Sequence, residues 1–377
     1  MKTGILGGAF DPPHLEHINI CLNAIKELGL DKVVLVPSGI QPHKNSSVSS
    51  NLRCDMIIAA IKSFYNLSVD DIELTYNKIG FASEILPLLQ EKYGDIVYIV
   101  GGDSFMSMRN WHNPEIIFRS FPIAVIDRDG NRLDIMKEIK NIEDTYGARI
   151  KLLNYEASDI SSTLVRAKLE LNDNVSDLIP DRVMDIIRNN NLYNNMSSMV
   201  NKLKTMISPE TYAHTKRTVY KALQYNQRLG LSYEKVFIAA LLHDCAKGLP
   251  LQEAYRYQVP IDAIDTPVMH AFQGVAISEK EFGVEDSEIL NAIRYHTTGK
   301  AKMTHLEMLI FVADMLEDNR NFSGVVELRY LVEENQLLGF MSCVEHQYNY
   351  LVAKKIKMYH LTEECYNYYI RRSSNDN

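Results

Sequence analysis

Residues 1–28 read MKTGILGGAFDPPHLEHINICLNAIKEL. A short apolar run, Ile5-Leu6, meets the glycine pair Gly7-Gly8, and an amphipathic stretch over residues 14–28 follows. Strand, tight turn and helix in that order open a βα unit. The glycines let backbone N–H groups approach an anion closely, and the helix aims its positive end at the same point. His14 and His17 are three residues apart and share one helical face. Two imidazoles there can donate hydrogen bonds to phosphate oxygens.

The same alternation continues outward. Val33-Val34-Leu35-Val36 ends at Pro37, Ile96-Val97-Tyr98-Ile99-Val100 ends at Gly101-Gly102-Asp103, and Pro122-Ile123-Ala124-Val125-Ile126 ends at Asp127-Arg128. Amphipathic stretches over 51–65, 82–92 and 132–146 lie between them. Short, continuously apolar strands alternating with helices predict a parallel sheet covered on both faces, with ligands at the carboxyl ends of the strands. Pro42-His43-Lys44 offers a loop cation near those ends. Ile160-Ser161-Ser162-Thr163-Leu164-Val165-Arg166 offers hydroxyls, a second helix N-terminus and a guanidinium. Together these residues predict a polyphosphate clamp.

Residues 189–199, Asn-Asn-Asn-Leu-Tyr-Asn-Asn-Met-Ser-Ser-Met, have the composition of a linker. They predict a boundary between a domain over 1–193 and another over 194–377. Beyond them helical periodicity dominates, over 208–223, 233–245, 286–296, 304–318 and 342–359. The apolar stretch Val236–Leu242 runs straight into His243-Asp244. A polar pair at the end of a buried helix is costly unless compensated, and a divalent metal compensates well. His214, His270, His296 and Asp314 are further candidate ligands; His296 and Asp314 again follow apolar helical runs. Helical bundles build metal sites in this way.

The 377-residue chain is 46% hydrophobic and 23% charged, the mix of a soluble globular protein, and its length suits two domains. A net charge of −8 argues against a protein that coats nucleic acid or anionic membrane. Five scattered cysteines without a CxxC pair point to free thiols in a reducing compartment. With no apolar leader and no span-length apolar run, the expectation is a cytoplasmic protein.

Residues 1–193 resemble the nucleotidyltransferase superfamily with the HxGH motif, and within it the bacterial nicotinate-nucleotide adenylyltransferases. The matching pieces are GGAFDPPH at 7–14, PHK at 42–44, Arg53, GGDS at 101–104 followed by Trp111, and ISSTLVR at 160–166. The resemblance implies a Rossmann-like α/β domain that transfers AMP from ATP to nicotinate mononucleotide, with Mg²⁺ on the ATP phosphates. It implies His14, His17 and Arg166 as the catalytic phosphate holders, and Gly7, Gly8, Phe10, Asp103, Ser162 and Thr163 as ATP-binding. Lys44 would meet the acceptor phosphate and Trp111 the nicotinate ring. Residues 205–335 resemble the HD superfamily of metal-dependent phosphohydrolases, in particular the YqeK-type enzymes that split diadenosine tetraphosphate symmetrically. The pieces here are His214, LLHDCAK at 241–247, His270, RYHTTG at 294–299 and MTHLEMLIFVADMLEDNR at 303–320. This resemblance implies an all-α domain. In it, His214, His243, Asp244 and Asp314 would hold one Fe or Mn ion, and His270 and His296 a second bridged by Asp244. Asp244 and Lys247 would be catalytic, with Arg294, Thr297 and Arg320 on the substrate.

The chain departs from both patterns. Glu16 stands where the first family has glycine between the histidines, and is expected to crowd the base or repel phosphate. Residues 75–83 lack the usual Ser-Tyr-Thr-x-Asp-Thr stretch that helps recognise the pyridine nucleotide. In the second half Asp318 replaces a common proline, Met308 a common lysine, and Ala271-Phe272-Gln273-Gly274 lacks the immediate glycine. The alternatives are another acceptor such as phosphopantetheine, another substrate for the hydrolase, or a nucleotide-sensing helical module without turnover.

Overall fold

The computed structural model describes residues 1–39, 48–75, 80–127, 130–155, 157–257 and 259–371. The chain forms two compact units, Met1–Asn194 and Asn195–Asn377.

In the first unit six strands make one parallel sheet: β1 (Lys2–Gly8), β2 (Lys32–Pro37), β3 (Leu67–Val69), β4 (Asp95–Gly101), β5 (Ile123–Ile126) and β6 (Ile150–Leu152). Their order is β3-β2-β1-β4-β5-β6 and every pairing is parallel. Successive side chains of a strand point to opposite faces. Leu6, Val33 and Leu35 accordingly pack in one core, while Ile5, Val34 and Val36 pack in the other. Two cores explain why the central strands read as unbroken apolar runs. The sheet grows one way from β1 to β3 and the other way from β4 to β6. The crevice beyond the carboxyl ends of β1 and β4 is therefore the switch point of a doubly wound sheet. Gly7-Gly8 and Gly101-Gly102 end those two strands. A Cβ on Gly102 would stand 2.7 Å from Ile135 Cδ1, so a larger residue there would push the Ile135 side chain aside.

The edge strands β3 and β6, LSV and IKL, fall outside the sequence expectation. Each is three residues long with a polar centre, too short to stand out as an apolar run. The expected linker is also more ordered than its composition suggests. Tyr193 is buried within a core, and a helix, Ser197–Met206, begins inside the stretch.

The second unit is helical, with no strand among its described residues. Pro209–Leu229 is capped by the Ser208 hydroxyl, which accepts from Thr211 N, with proline in its first turn. Thr304 and Glu307 form a reciprocal capping box on His305–Leu316. Tyr233–Leu242 is buried at every position from Val236 to Leu242, so it is an interior helix. Met269–Phe282 and Ser287–Tyr295 complete the group that delivers the candidate ligands. Among the described residues no helix is long and apolar enough to cross a membrane.

Candidate functional site

The loop after β1 is held by side chains that reach across the fold to its backbone. Arg53, 2% exposed, donates to Ala9 O (2.5 Å) and Ser38 O (2.6 Å), joining the loops that follow β1 and β2. Arg166 donates to Asp11 O (2.6 Å) and to Thr163 Oγ1 (3.2 Å). Ser162 Oγ donates to Pro12 O at 2.9 Å, while Ser161 caps its own helix by accepting from Leu164 N. The helices Leu15–Leu28 and Ser162–Glu170 thus present their N-termini to one loop. Tyr193 closes it from below with a short hydrogen bond to the Asp11 carboxylate. Burial first, then the Asp11 charge, raises the Tyr193 pKa, which keeps the phenol a donor. Phe10, 1% exposed, takes a left-handed φ of 48° at the head of this loop, a strained backbone for a bulky residue.

His14 N–H donates to His17 Nδ1 at 3.1 Å, and the two rings stack with centroids 3.7 Å apart. An Nδ1 that accepts leaves the proton of the neutral ring on Nε2. In the neutral ring the His17 Nε2–H then lies on the side away from the His14 amide. Glu16 does not stand between the imidazoles. One residue of helix turns it by about 100°, and its Oε2 accepts from Ser158 Oγ at 2.6 Å. Its Oε1 is buried without a hydrogen-bond partner. Around the crevice, Gly7 has only Tyr98 Oη within 4 Å of a Cβ position, and Asp103 is exposed just past β4. Trp111 is half-buried and donates to Ser107 Oγ at 3.3 Å. Its neighbour His112 stacks on Phe81 at 4.3 Å. Lys44 lies outside the described residues, as do residues 76–79 of the altered segment. Glu73, absent from the sequence reading, accepts from Gly39 N at 3.2 Å, and burial lifts its pKa to about 7.

In the second unit the imidazoles and carboxylates delivered by separate helices converge. His214 Nε2 lies 2.9 Å from Asp314 Oδ1, 3.3 Å from His243 Nε2 and 3.6 Å from Asp244 Oδ2. His243 Nε2 lies 3.5 Å from Asp244 Oδ2 and 3.8 Å from Asp314 Oδ1. Around the other carboxylate oxygen, His270 Nε2 and His296 Nε2 stand 3.2 and 3.6 Å from Asp244 Oδ1, and 3.3 Å from each other. Each oxygen of Asp244 therefore faces its own pair of imidazoles.

Two observations test whether these residues fit a cation. Donors bound to one ion at about 2.1 Å stand roughly 3.0–3.5 Å apart, close to the separations of 2.9–3.8 Å among His214, His243, Asp244 and Asp314. Asp244, 1% exposed, has an Oδ1 that accepts no well-directed hydrogen bond despite its two imidazole neighbours. A buried orphan oxygen of this kind is costly. The ring protons agree. His243 Nδ1 and His296 Nδ1 each lie 2.7 Å from a carbonyl one turn back, Ala240 O and Ile293 O. In the neutral rings those contacts place the protons on Nδ1 and leave Nε2 as a lone-pair donor. Burial pulls the His243 pKa down to about 4, so the ring is neutral at ordinary pH. Burial opposes ionisation of Asp244 as well, but the surrounding imidazoles, His243 first, hold its pKa far below the carboxylate range.

Lys247 Nζ sits 2.7 Å from Asp244 Oδ2. Arg320 is turned onto Asp314, with Nη2 2.8 Å from Oδ1 and Nε 3.0 Å from the carbonyl. Arg294 Nε and Thr297 Oγ1, flanking His296, are buried without hydrogen-bond partners. Glu317 escaped the sequence reading. It bonds Arg217 and the Asn319 N–H and approaches His214 Nδ1. Its three-residue spacing from Asp314, one turn on, was the available signal.

A cytidylyltransferase-like family model matches residues 5–168, and an HD domain model matches residues 211–319. A Clostridium acetobutylicum protein named "Probable nicotinate-nucleotide adenylyltransferase" is 34% identical over 197 residues, which cover 51% of this chain and 98% of that protein. A Mycoplasma genitalium protein named "Probable nicotinate-nucleotide adenylyltransferase/Ap4A hydrolase" is 28% identical over 342 residues, 88% of this chain and 93% of the relative. A crystal structure from Clostridium acetobutylicum, described as a predicted HD superfamily hydrolase involved in NAD metabolism, aligns with 46% of this chain and 96% of its own. Its identity is 29% and its TM-score 0.44.

Proposed function

This chain belongs, through its first unit, to the nicotinate-nucleotide adenylyltransferase family, and we propose that it is a bifunctional enzyme whose second unit hydrolyses diadenosine tetraphosphate. In the first reaction the phosphate of nicotinate mononucleotide attacks the α-phosphorus of ATP in line. The bond from that phosphorus to the bridging oxygen breaks, and pyrophosphate leaves. No covalent enzyme intermediate is needed, so catalysis is positioning and charge neutralisation. His17 Nε2–H, His14, Arg166 and the two helix N-termini would bind phosphate oxygens, with Mg²⁺ arriving on ATP. Gly7, Gly8, Phe10, Ser162 and Thr163 would shape the nucleotide cradle, and Asp103 would take the ribose. Lys44 and Trp111 would receive the acceptor.

In the second reaction water cleaves the tetraphosphate at its centre, giving two ADP. A divalent metal, when bound, polarises a phosphoryl oxygen and acidifies water. His214, His243, Asp244 and Asp314 would hold one ion, Fe or Mn. His270 and His296 would hold a second, shared through Asp244. Lys247, Arg294, Thr297 and Arg320 would orient the polyphosphate and balance its charge. The observation that carries the reading is Asp244 itself, a buried carboxylate with an imidazole pair at each oxygen.

The test uses the full chain. Purified with Mn²⁺ or Fe²⁺, it is expected to release pyrophosphate from ATP plus nicotinate mononucleotide and to convert diadenosine tetraphosphate to ADP alone. Products of ATP plus AMP would refute symmetrical cleavage. Absence of any metal-dependent turnover would refute the hydrolase. Faster pyrophosphate release with another phosphate acceptor would reassign the first reaction.

A further inference from the structure

His214 differs from the other candidate ligands in what holds it. His243 and His296 direct Nδ1 at carbonyls of their own helices, a local arrangement that any histidine at a helix end can adopt. His214 sits mid-helix in Pro209–Leu229, and its Nδ1 meets a side chain from a segment about a hundred residues later, Glu317 Oε1 at 3.3 Å. Glu317 is 2% exposed and firmly placed. Its Oε2 accepts from Arg217 Nε at 2.6 Å and from Asn319 N at 2.7 Å. Arg329 Nη2 donates 2.8 Å to the Glu317 carbonyl, and Arg329 Nε 3.0 Å to that of Leu316. Backbone and guanidinium thus fix the carboxylate, and the carboxylate faces the imidazole.

We infer that Glu317 is a positioning residue of the metal centre: it accepts the Nδ1 proton of His214 and so holds Nε2 toward Asp314, His243 and Asp244. The inference rests on reading that cluster as a metal site. Carboxylate partners of this kind fix the ring orientation and raise the basicity of the ligating nitrogen, and their loss typically weakens metal binding about 10–100-fold. Arg217 acts one step further out. Its removal frees Glu317 without removing the acceptor, so its effect on metal should be the smaller.

The experiment titrates Mn²⁺ into the metal-stripped full chain by calorimetry, for wild type, E317A, E317Q and R217A. In parallel, the imidazole nitrogen spectrum of the Zn²⁺-loaded wild type assigns the proton of His214. The expected result is Mn²⁺ affinity about 10–100-fold weaker in E317A, an intermediate loss in E317Q, which keeps an acceptor oxygen, and a smaller loss in R217A. The His214 proton is expected on Nδ1. Equal affinity in wild type, E317A and E317Q, even with lowered melting temperatures, would overturn the inference and make Glu317 a structural ion-pair partner. A His214 proton on Nε2 in the loaded wild type would also overturn it, whether or not the variants fold. Wild type that takes up no cation would instead defeat the metal reading on which the inference stands.

Discussion

The function proposed above gives both units a polyphosphate to hold, and they are built for it from opposite materials. The first works largely with backbone: glycines, two helix N-termini and carbonyls pinned by Arg53, Arg166 and Ser162. Arg53 and Arg166 donate to carbonyl oxygens, so protein groups themselves hold the loop in place. The second works with side chains sent inward from separate helices. Its buried donors face one another, and Asp244 Oδ1 accepts no well-directed bond. In the first site the folded chain itself holds the loop; in the second, the arrangement of donors suits a cation. The measurements that break or sharpen this contrast follow from the largest effect to the smallest.

D244N should be the most damaging change. It keeps volume and removes the only carboxylate common to both imidazole pairs. Symmetrical hydrolysis is expected to fall by at least about 10³-fold, with pyrophosphate release by the first unit within twofold of wild type. A D244N protein that hydrolyses normally would show that the convergence at Asp244 is incidental. H17A is the mirror change. It removes the Nε2–H donor and should lower adenylyl transfer by about 10²–10³-fold, while hydrolysis stays intact. Loss of both activities in either variant would mean that the units are not chemically independent.

Removal of metal comes next. A cation present at about a hundred times its dissociation constant stabilises by about 2.7 kcal/mol. For a unit of this size that is roughly 5–11 °C in melting temperature. Scanning calorimetry with and without chelator should therefore move the transition of the second unit and leave that of the first in place. Equal shifts in both, or none, would contradict the idea that only one site depends on a cation.

The contrast also governs what could be read from sequence. The four central strands are double-sided and their apolar runs are unbroken, so they were legible; β3 and β6 are edge strands of three residues and were not. The set His214, His243, Asp244, His270, His296 and Asp314, which the fold brings together, was legible because imidazoles and carboxylates at the ends of apolar helical runs stand out. What was hidden is the support. Glu317, Tyr193 and Glu73 carry no unusual composition, and only the fold brings Tyr193 beneath Asp11 or Glu317 behind His214. Glu16 was read as an obstacle to the nucleotide, yet in the fold its carboxylate is turned onto Ser158, because the next step of the helix rotates it off the histidine face.

Two carboxylates, one in each unit, give the finest test, because their surroundings shift them in opposite directions. Imidazoles surround Asp244 and lower its pKa, whereas Glu73 has chiefly the Gly39 N–H, and burial raises its pKa from 4.5 to about 7. A folded-state value above the unfolded one means that the native first unit binds the proton more tightly. Its contribution is complete below pH 4.5 and is lost as pH rises through about 7. E73Q imitates the protonated form and can still accept from Gly39. It should melt like wild type near pH 4.5 and be more stable at pH 8. The full shift would correspond to about 3 kcal/mol, and partial solvent contact reduces the expectation to about 1–2 kcal/mol. Calorimetric melts at both pH values decide it. A gain of the same size at pH 4.5, or none at pH 8, would show that Glu73 does not titrate against its burial.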